Sequence, residues 1–137
     1  MPVDNKAAVE RWFEEVWNNG RVDVIDEMFP PEAIAHGLGP DLRGPDEFKI
    51  FHSSFRTAFP DVRVQIDGMI QEGDTVAFRY SATGTHLGNG LGFAATGRSA
   101  TFIGMGMARL VDGRIVEGWN VLDQLGMLTQ LGVAPAP

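Results

Sequence analysis

The residues best suited to proton chemistry lie in the stretch D-G-R-I-V-E-G-W-N-V-L-D-Q-L-G, from Asp112 to Gly126. Asn120 and Asp123 stand in this otherwise mostly apolar run, and a buried polar group needs a partner or a function. Asp123 has two interpretations: it caps a following helix, or it is a carboxylate at a cavity wall that moves protons. Asn120 either satisfies a neighbouring backbone group or donates a hydrogen bond to a substrate oxygen.

Three further side chains are candidates for chemistry. Arg79 lies mid-strand among small polar residues, so we expect it to pair with Asp123 or Glu117, or else to bind a substrate carboxylate or carbonyl. His36 precedes a glycine loop, where it is either a surface residue or a proton-transfer group. We expect His86 to lie near a cavity mouth.

The sequence contains no pattern typical of metal, thiol or covalent catalysis. It has no cysteine, and its three histidines lack a zinc-binding spacing such as H-x-x-x-H. No serine or threonine has the context of a nucleophile elbow, and the glycine-rich stretch 86–98 is not a nucleotide-binding loop. We therefore expect neither a metal nor a cofactor.

The composition is typical of one globular domain spanning residues 1–137. Of its 137 residues, 44% are hydrophobic, and the net charge is −7, which argues against nucleic acid or an anionic membrane as a partner. No apolar segment approaches membrane-spanning length, and the N-terminus lacks the apolar core of a signal peptide. We expect a cytoplasmic protein that binds a small hydrophobic molecule.

The periodicity of apolar residues changes once along the chain. Residues 4–60 are mainly helical, with an apolar stripe that includes Trp17 in the first helix, and a third helix that presents Phe51, His52 and Phe55. We expect His52 to be a packed residue. Residues 61–122 alternate as antiparallel strands joined by turns, among them an Asp112-Gly113 hairpin, and residues 123–132 form a last helix. Helices followed by a meander predict an α+β fold.

Five motifs follow one another along the chain: F-P-D-V-R-V, E-G-D-T-V-A-F-R-Y, G-T-H-L-G, T-G-R and D-G-R-I-V-E-G-W-N-V-L-D-Q-L-G-M-L-T-Q-L-G. From about Ala7 to Gly132, their order and spacing resemble the SnoaL-like polyketide cyclase family of the nuclear transport factor 2-like superfamily. The resemblance implies a cone, in which a curved antiparallel sheet is wrapped by N-terminal helices around one apolar cavity. It also implies a homodimer formed through the sheet.

In the aromatic polyketide cyclases of that family, an aspartate on the last strand acts as acid and base in an intramolecular aldol closure. A histidine on the preceding strand assists it. Matched without gaps, Asn120 takes the position of the aspartate and Gly106 that of the histidine. Asparagine can donate a hydrogen bond to an enolate oxygen but cannot abstract a proton at neutral pH, so Asp123 is the carboxylate left to replace it.

The sequence thus predicts a cofactor-independent enzyme that cyclises or isomerises a small oxygenated hydrophobic substrate by general acid/base chemistry. Its alternatives are a binding protein for a hydrophobic metabolite, or a related epoxide hydrolase or dehydratase. A cavity carboxylate that no arginine pairs would distinguish an enzyme from a binder. The predicted catalytic residues are Asp123, Asn120, His36 and Arg79, and the predicted substrate-binding residues are Trp119, His86, Trp17, Phe51, Phe55 and Met105.

Two further expectations concern the packing of Trp119 and the mobility of a glycine-rich stretch. We expect Trp119 to be a core residue that fills the space left by Gly104 and Gly106 on the neighbouring strand. We expect the glycine-rich stretch 86–98 to be a mobile lip that gates the cavity.

Overall fold

A computed structural model describes residues 4–133 of the chain. The helices are α1 (Asn5–Trp12), which continues as a π-helical segment (Phe13–Asn18), α2 (Val22–Met28), α3 (Gly44–Ala58) and α4 (Gln124–Leu131). The strands are β1 (Ile34–His36), β2 (Leu42–Arg43), β3 (Arg63–Glu72), β4 (Thr75–Thr85), β5 (Ser99–Val111) and β6 (Arg114–Leu122).

The strands form one six-stranded sheet in the order β2-β1-β6-β5-β4-β3. The expected α+β architecture is confirmed, with one difference from an all-antiparallel sheet: β1 runs parallel to β6, and Ile34 pairs with Glu117. About 80 residues separate these two strands, so no hairpin imposes an antiparallel arrangement on them. The sequence pattern showed β1 only as a short extended piece.

The β5–β6 hairpin forms where the sequence predicted it. Its two turn residues, Asp112 and Gly113, both have positive φ, at 52° and 77°. These values suit a type I′ turn, whose twist matches that of the flanking strands. The turn pairs Val111 with Arg114, and a bulge beyond Leu110 shifts the register by one residue, so that Asn120 lies opposite Gly106.

The glycines of β5 accommodate aromatic rings from β4. A Cβ atom added at Gly104 would overlap the ring of Tyr80, and one added at Gly106 would lie 2.8 Å from the Phe78 ring. The expectation that these glycines accommodate Trp119 is therefore wrong, since Trp119 pairs directly with Met107. Trp119 is only partly buried and is not a core residue.

The helices cover one face of the sheet and form the core with it. His52 of α3 is buried, as predicted, and its Nε2 lies 2.6 Å from the carbonyl oxygen of Val16 in the π-helical segment. Burial lowers the pKa of His52, so the neutral imidazole donates this hydrogen bond. The bond satisfies a carbonyl group at the end of the first helical stretch.

The stretch 86–98 is docked on α3 and does not border the cavity. Leu87 donates its amide to the carbonyl of Ala58 at 2.9 Å, and a Cβ atom at Gly88 or Gly90 would overlap backbone oxygens of α3. None of its residues lines the cavity described below. The expected role of this stretch as a lip of the cavity is therefore wrong.

Candidate active site

An apolar cavity of about 90 Å³ lies between the helices and the inner face of the sheet. Aromatic side chains supply much of its wall, including the predicted ligand-binding residues Trp17, Phe51 and Phe55. Trp17 comes from the π-helical segment, and the two phenylalanines come from α3. Their recurrence at helical spacing placed these three residues correctly from the sequence.

A tyrosine and an asparagine form the polar centre of this cavity. The hydroxyl of Tyr80 donates a hydrogen bond to Oδ1 of Asn120 at 2.8 Å, between β4 and β6. Both residues line the cavity, and Tyr80 is buried. Burial raises the pKa of Tyr80 to about 12. The phenol is therefore a neutral donor at physiological pH.

The hydrogen bond from Tyr80 orients the amide of Asn120. Since Oδ1 accepts the phenol proton, Nδ2 is left as a donor, and it makes no hydrogen bond to another residue within the described range 4–133. The backbone of Asn120 also packs closely against Gly37: a Cβ atom at Gly37 would overlap the carbonyl oxygen of Asn120. The site thus presents one fixed N–H donor.

His36, at the end of β1, is among the residues that border the cavity. Its side chain and that of its cross-strand partner Trp119 project from the outer face of the sheet, opposite to Asn120, and His36 lies there between two carboxylates. Its Nδ1 is 2.9 Å from Oδ1 of Asp41, and its Nε2 is 2.8 Å from Oε2 of Glu117. Hydrogen bonding to Glu117 and then to Asp41 raises the pKa of His36. This arrangement favours the imidazolium form and proton donation over proton abstraction.

Glu117 and Trp119 complete the surroundings of His36. Glu117 also lies 3.6 Å from Arg109, measured from its Oε1 to Nη2. The ring of Trp119 stacks on the imidazole, with 5.6 Å between the ring centroids. Trp119 therefore supports a predicted site residue and borders the cavity, although it is not the core residue that the sequence suggested.

Asp123 lies outside the cavity. It is exposed, and its Oδ1 accepts a hydrogen bond from the amide of Gly126 at 2.9 Å, as the N-cap of α4. The structure therefore supports the capping interpretation. The position gives no support to a catalytic role, because the carboxylate does not border the space where a substrate would bind.

Three other predicted site residues are also away from the cavity. Arg79 and Met105 are exposed on the outer face of the sheet, where they are cross-strand partners, so the expected pairing of Arg79 with Asp123 or Glu117 is wrong. His86 is fully buried at the start of the docked stretch 86–98, where its Nδ1 accepts a hydrogen bond from the amide of Thr96. Strand alternation explains the first two: they are one residue out of phase with the inner face.

Tyr80 is the functional residue that sequence reasoning missed. It is the only tyrosine in the chain and alternates with Phe78 on an apolar strand face, a pattern that normally indicates core packing. A phenol on a buried face needs a hydrogen-bond partner. Asn120 provides one from β6, which is separated from β4 by β5. Gly104 of β5 leaves the space for the Tyr80 ring between them.

The described part of the cavity lining contains no aspartate, glutamate, lysine or arginine. Within residues 4–133, no group of three or more histidines or carboxylates is arranged to hold a metal ion. In the same range, no helix is long and apolar enough to cross a membrane. Among the described residues, Tyr80 is therefore the titratable side chain that the inner face of the sheet brings to the cavity.

Residues 7–131 match the SnoaL-like polyketide cyclase family. The chain belongs to this family. Among its relatives, the aklanonic acid methyl ester cyclase DauD of Streptomyces sp. (strain C5) is 32% identical over 124 residues, which are 86% of this chain and 76% of DauD. The aklanonic acid methyl ester cyclase AcmA of Streptomyces galilaeus is 31% identical over 133 residues, which are 95% of this chain and 92% of AcmA.

Solved structures of SnoaL-like proteins superpose closely on this one. A protein of this type from Jannaschia sp. CCS1 has a TM-score of 0.86 at 26% identity, over 96% of this chain and 93% of its own. IdmH from Streptomyces antibioticus has a TM-score of 0.83 at 30% identity, over 96% of this chain and all of IdmH. The predicted family and fold are confirmed, as is an enzyme of the SnoaL-like cyclase type at the level of the family.

An LEH-like epoxide hydrolase from M. tuberculosis shares the fold, with a TM-score of 0.71 at 17% identity over 93% of this chain and 88% of its own. Epoxide hydrolysis needs carboxylates that activate water. Asp123 is exposed, and Glu117 is engaged by His36 and Arg109. The geometry therefore gives the epoxide hydrolase alternative no support.

Proposed function

We propose that this SnoaL-like protein catalyses the intramolecular aldol-type closure of a small carbonyl compound. The observation that carries the proposal is the Tyr80–Asn120 hydrogen bond of 2.8 Å inside an aromatic cavity. In water-excluded surroundings, a fixed donor stabilises developing oxyanion charge more strongly than it would in water. The cyclases among the relatives support the same class of reaction.

In the proposed reaction, Nδ2 of Asn120 donates a hydrogen bond to the carbonyl oxygen whose α-carbon loses a proton. The enolate carbon then attacks the second carbonyl of the same molecule, so one C–C bond forms and one C=O becomes an alkoxide. The proton lost from carbon is balanced by the proton that the alkoxide gains. Tyr80 keeps the amide of Asn120 in the orientation that donates.

The proton steps follow from the protonation states of the lining residues. Burial keeps Tyr80 protonated, and two carboxylates favour the protonated form of His36. Water at the cavity mouth is therefore the proposed acceptor of the α-proton. The same water returns that proton to the alkoxide, so the proton lost from carbon is the one that the oxygen gains.

The test is closure of heptane-2,6-dione to 3-hydroxy-3-methylcyclohexanone, followed by proton NMR. Asn120→Leu keeps the approximate shape and removes the donor, so we expect a loss of about 10²–10³-fold in rate. Tyr80→Phe should lose less, because it frees the amide to rotate without removing it. Wild-type rates in Asn120→Leu would refute the proposal.

Asp123→Asn is the matched control. Asparagine caps a helix about as well as aspartate, and Asp123 lies outside the cavity, so we expect both rate and stability to stay near the wild-type values. Asn120→Asp is the companion variant, since it restores the carboxylate implied by the resemblance. We expect it to destabilise the fold, because it places a charge in an apolar wall.

A binding protein for a hydrophobic metabolite is the second candidate. The observation that favours it is the lack of any carboxylate in the described part of the cavity lining. Such a protein would bind carbonyl compounds at Asn120 and leave heptane-2,6-dione unchanged.

A further inference from the structure

One residue of the cavity wall differs from the other described ones in how it is held. Most residues that line the cavity belong to helices or strands, and Phe29 and Val62, which do not, are buried. Leu38 lines the same cavity from the β1–β2 loop, residues 37–41, and it is partly exposed. Within residues 4–133, Leu38 is therefore the wall residue that the surrounding structure constrains least.

The β1–β2 loop, G-L-G-P-D, has a glycine on each side of Leu38. Gly37 and Gly39 have φ angles of 95° and 102°, values that glycine adopts readily and other residues rarely. In the described part of the chain, the backbone of residues 37–41 makes no hydrogen bond to another backbone group. The backbone on either side of Leu38 can thus rotate without breaking such a bond.

A contact between two side chains closes the base of this loop. Nδ1 of His36, the last residue of β1, lies 2.9 Å from Oδ1 of Asp41, the last residue of the loop. The exposed fractions of the two side chains are 28% and 44%, and ion pairs between exposed groups are weak. Opening the loop therefore costs this contact and the packing of Leu38, and it breaks no helix or strand.

The loop begins directly beside the polar centre of the cavity. A Cβ atom added at Gly37 would overlap the carbonyl oxygen of Asn120, so the two backbones are in contact. The stretch 86–98, which the sequence suggested as a gate, is held on α3 instead. Displacement of Leu38 would therefore open the cavity next to Asn120.

We propose that the β1–β2 loop is the gate of the cavity, in which Leu38 blocks the entrance. Gly37 and Gly39 are its hinges. The His36–Asp41 contact is the latch that holds the gate closed. A ligand enters when the latch opens and the loop carries Leu38 away from the wall, and the returning side chain then excludes water from the ligand. This inference concerns access alone, so it applies to an enzyme and to a binding protein alike.

The test measures how fast a small neutral reagent reaches a thiol inside the cavity. The chain has no cysteine, so Ala108→Cys, at a buried wall position of β5, provides the reactive group. Methyl methanethiosulfonate converts this thiol into a methyl disulfide, which is followed by mass spectrometry. We expect the reaction to be about tenfold slower, or more, than at the exposed position of Ala94→Cys. Ala82→Cys, at another buried wall position, serves if Ala108→Cys does not fold.

Two substitutions act on the gate when they are combined with the cavity thiol. Leu38→Ala removes the blocking side chain and should raise the modification rate about tenfold or more. Asp41→Ala removes the latch and should raise the rate about two- to fivefold, which corresponds to the strength of a partly exposed ion pair. Asp41→Asn keeps an oxygen that can accept a hydrogen bond from His36, so its rate should stay closer to that of the wild type.

The chain offers a matched control for each of these effects. Asp26 of α2 forms an ion pair of similar length and exposure, 2.7 Å from Nζ of Lys49, so Asp26→Ala should leave the modification rate unchanged. Val64 is another partly exposed wall residue, in β3. Val64→Ala should therefore raise the rate less than Leu38→Ala does.

The proposal is overturned if the cavity thiol behind the wild-type loop reacts as fast as the exposed thiol. It is also overturned if either Leu38→Ala or Asp41→Ala reacts at the wild-type rate. Equal acceleration by Asp26→Ala and Asp41→Ala would show that the loss of any surface ion pair loosens the fold, and faster reaction in Val64→Ala than in Leu38→Ala would place the entrance at β3; both results contradict the gate. None of these outcomes decides whether heptane-2,6-dione is closed, so the two proposals fail separately.

Discussion

At the scale of single residues, Gly104 maintains the polar centre of the site. Its missing side chain leaves the space that the Tyr80 ring occupies. Gly104→Ala should therefore displace that ring and weaken the Tyr80–Asn120 hydrogen bond, at a cost of roughly 1–3 kcal/mol in the free energy of unfolding. Gly118→Ala is the control, since its Cβ atom has space; equal losses in the two variants, measured by urea unfolding, would contradict this account.

His36 should make the stability of the protein depend on pH. Its pKa is raised in the folded state by Glu117 and Asp41, relative to about 6.5 in an unfolded chain. Its contribution is therefore fully present below about pH 6.5 and is lost as the pH rises through the folded-state pKa. We expect the difference in unfolding free energy between wild type and His36→Gln to shrink over that range; a pH-independent difference would count against the prediction.

At the scale of elements, the stretch 86–98 should behave as a docked segment. Gly90 lies so close to the carbonyl of Ser54 that a methyl group at this position would force the two apart. We expect Gly90→Ala to accelerate amide hydrogen exchange across 86–98, most clearly at Leu87, while β4 and β5 keep their protection. Ala94→Ser, at an exposed position in the same stretch, should change little; unaltered exchange in Gly90→Ala would show that the stretch is not held this way.

The elements that sequence patterns predicted well are those with long periodic runs. The bounds of β4 and β6 agree with the alternation of apolar residues, and the cap of α4 agrees with Asp123. Three features were not visible: the two-residue strand β2, the parallel pairing of β1, and the π-helical segment. Each depends on contacts with distant parts of the chain, which local periodicity does not encode.

The candidate site likewise contains residues that the sequence predicted and residues that it did not. The family resemblance identified Asn120, and helical spacing identified the aromatic wall. Arg79 and Met105 were misplaced because a strand exchanges its two faces with a shift of one residue. Tyr80 was missed because its partner lies 40 residues away along the chain.

At the scale of the whole molecule, we propose that a second copy of the chain covers the outer face of the sheet. Several apolar side chains are exposed there, led by Ile70 at 74%, Val121 at 67% and Met105 at 63%. Met105 and Val121 are cross-strand partners, so they form one contiguous patch, larger than isolated exposed residues. The dimer that the family resemblance implies would bury it.

Met105→Glu should disrupt this dimer, because it places an unpaired charge in the centre of the buried face. We expect sedimentation at micromolar concentration to give a dimer for the wild type and a monomer for the variant. Val111→Glu, at an exposed apolar position at the end of β5, should remain dimeric. A monomeric wild type would rule out the proposed assembly.

The π-helical segment has a consequence for comparing this chain with its relatives. In a π-helical turn each amide bonds five residues back rather than four, as Asn19 does with Glu14; the turn therefore accommodates one residue more than an α-helical turn. Both ends of this stretch are anchored, by the Asp4 cap and by the hydrogen bonds of Asn18 to Val64. A family member whose first helix is α-helical throughout should thus align with a one-residue gap between positions 13 and 18. With that gap in the alignment, Trp17 would still be matched to a residue that lines the cavity of the relative.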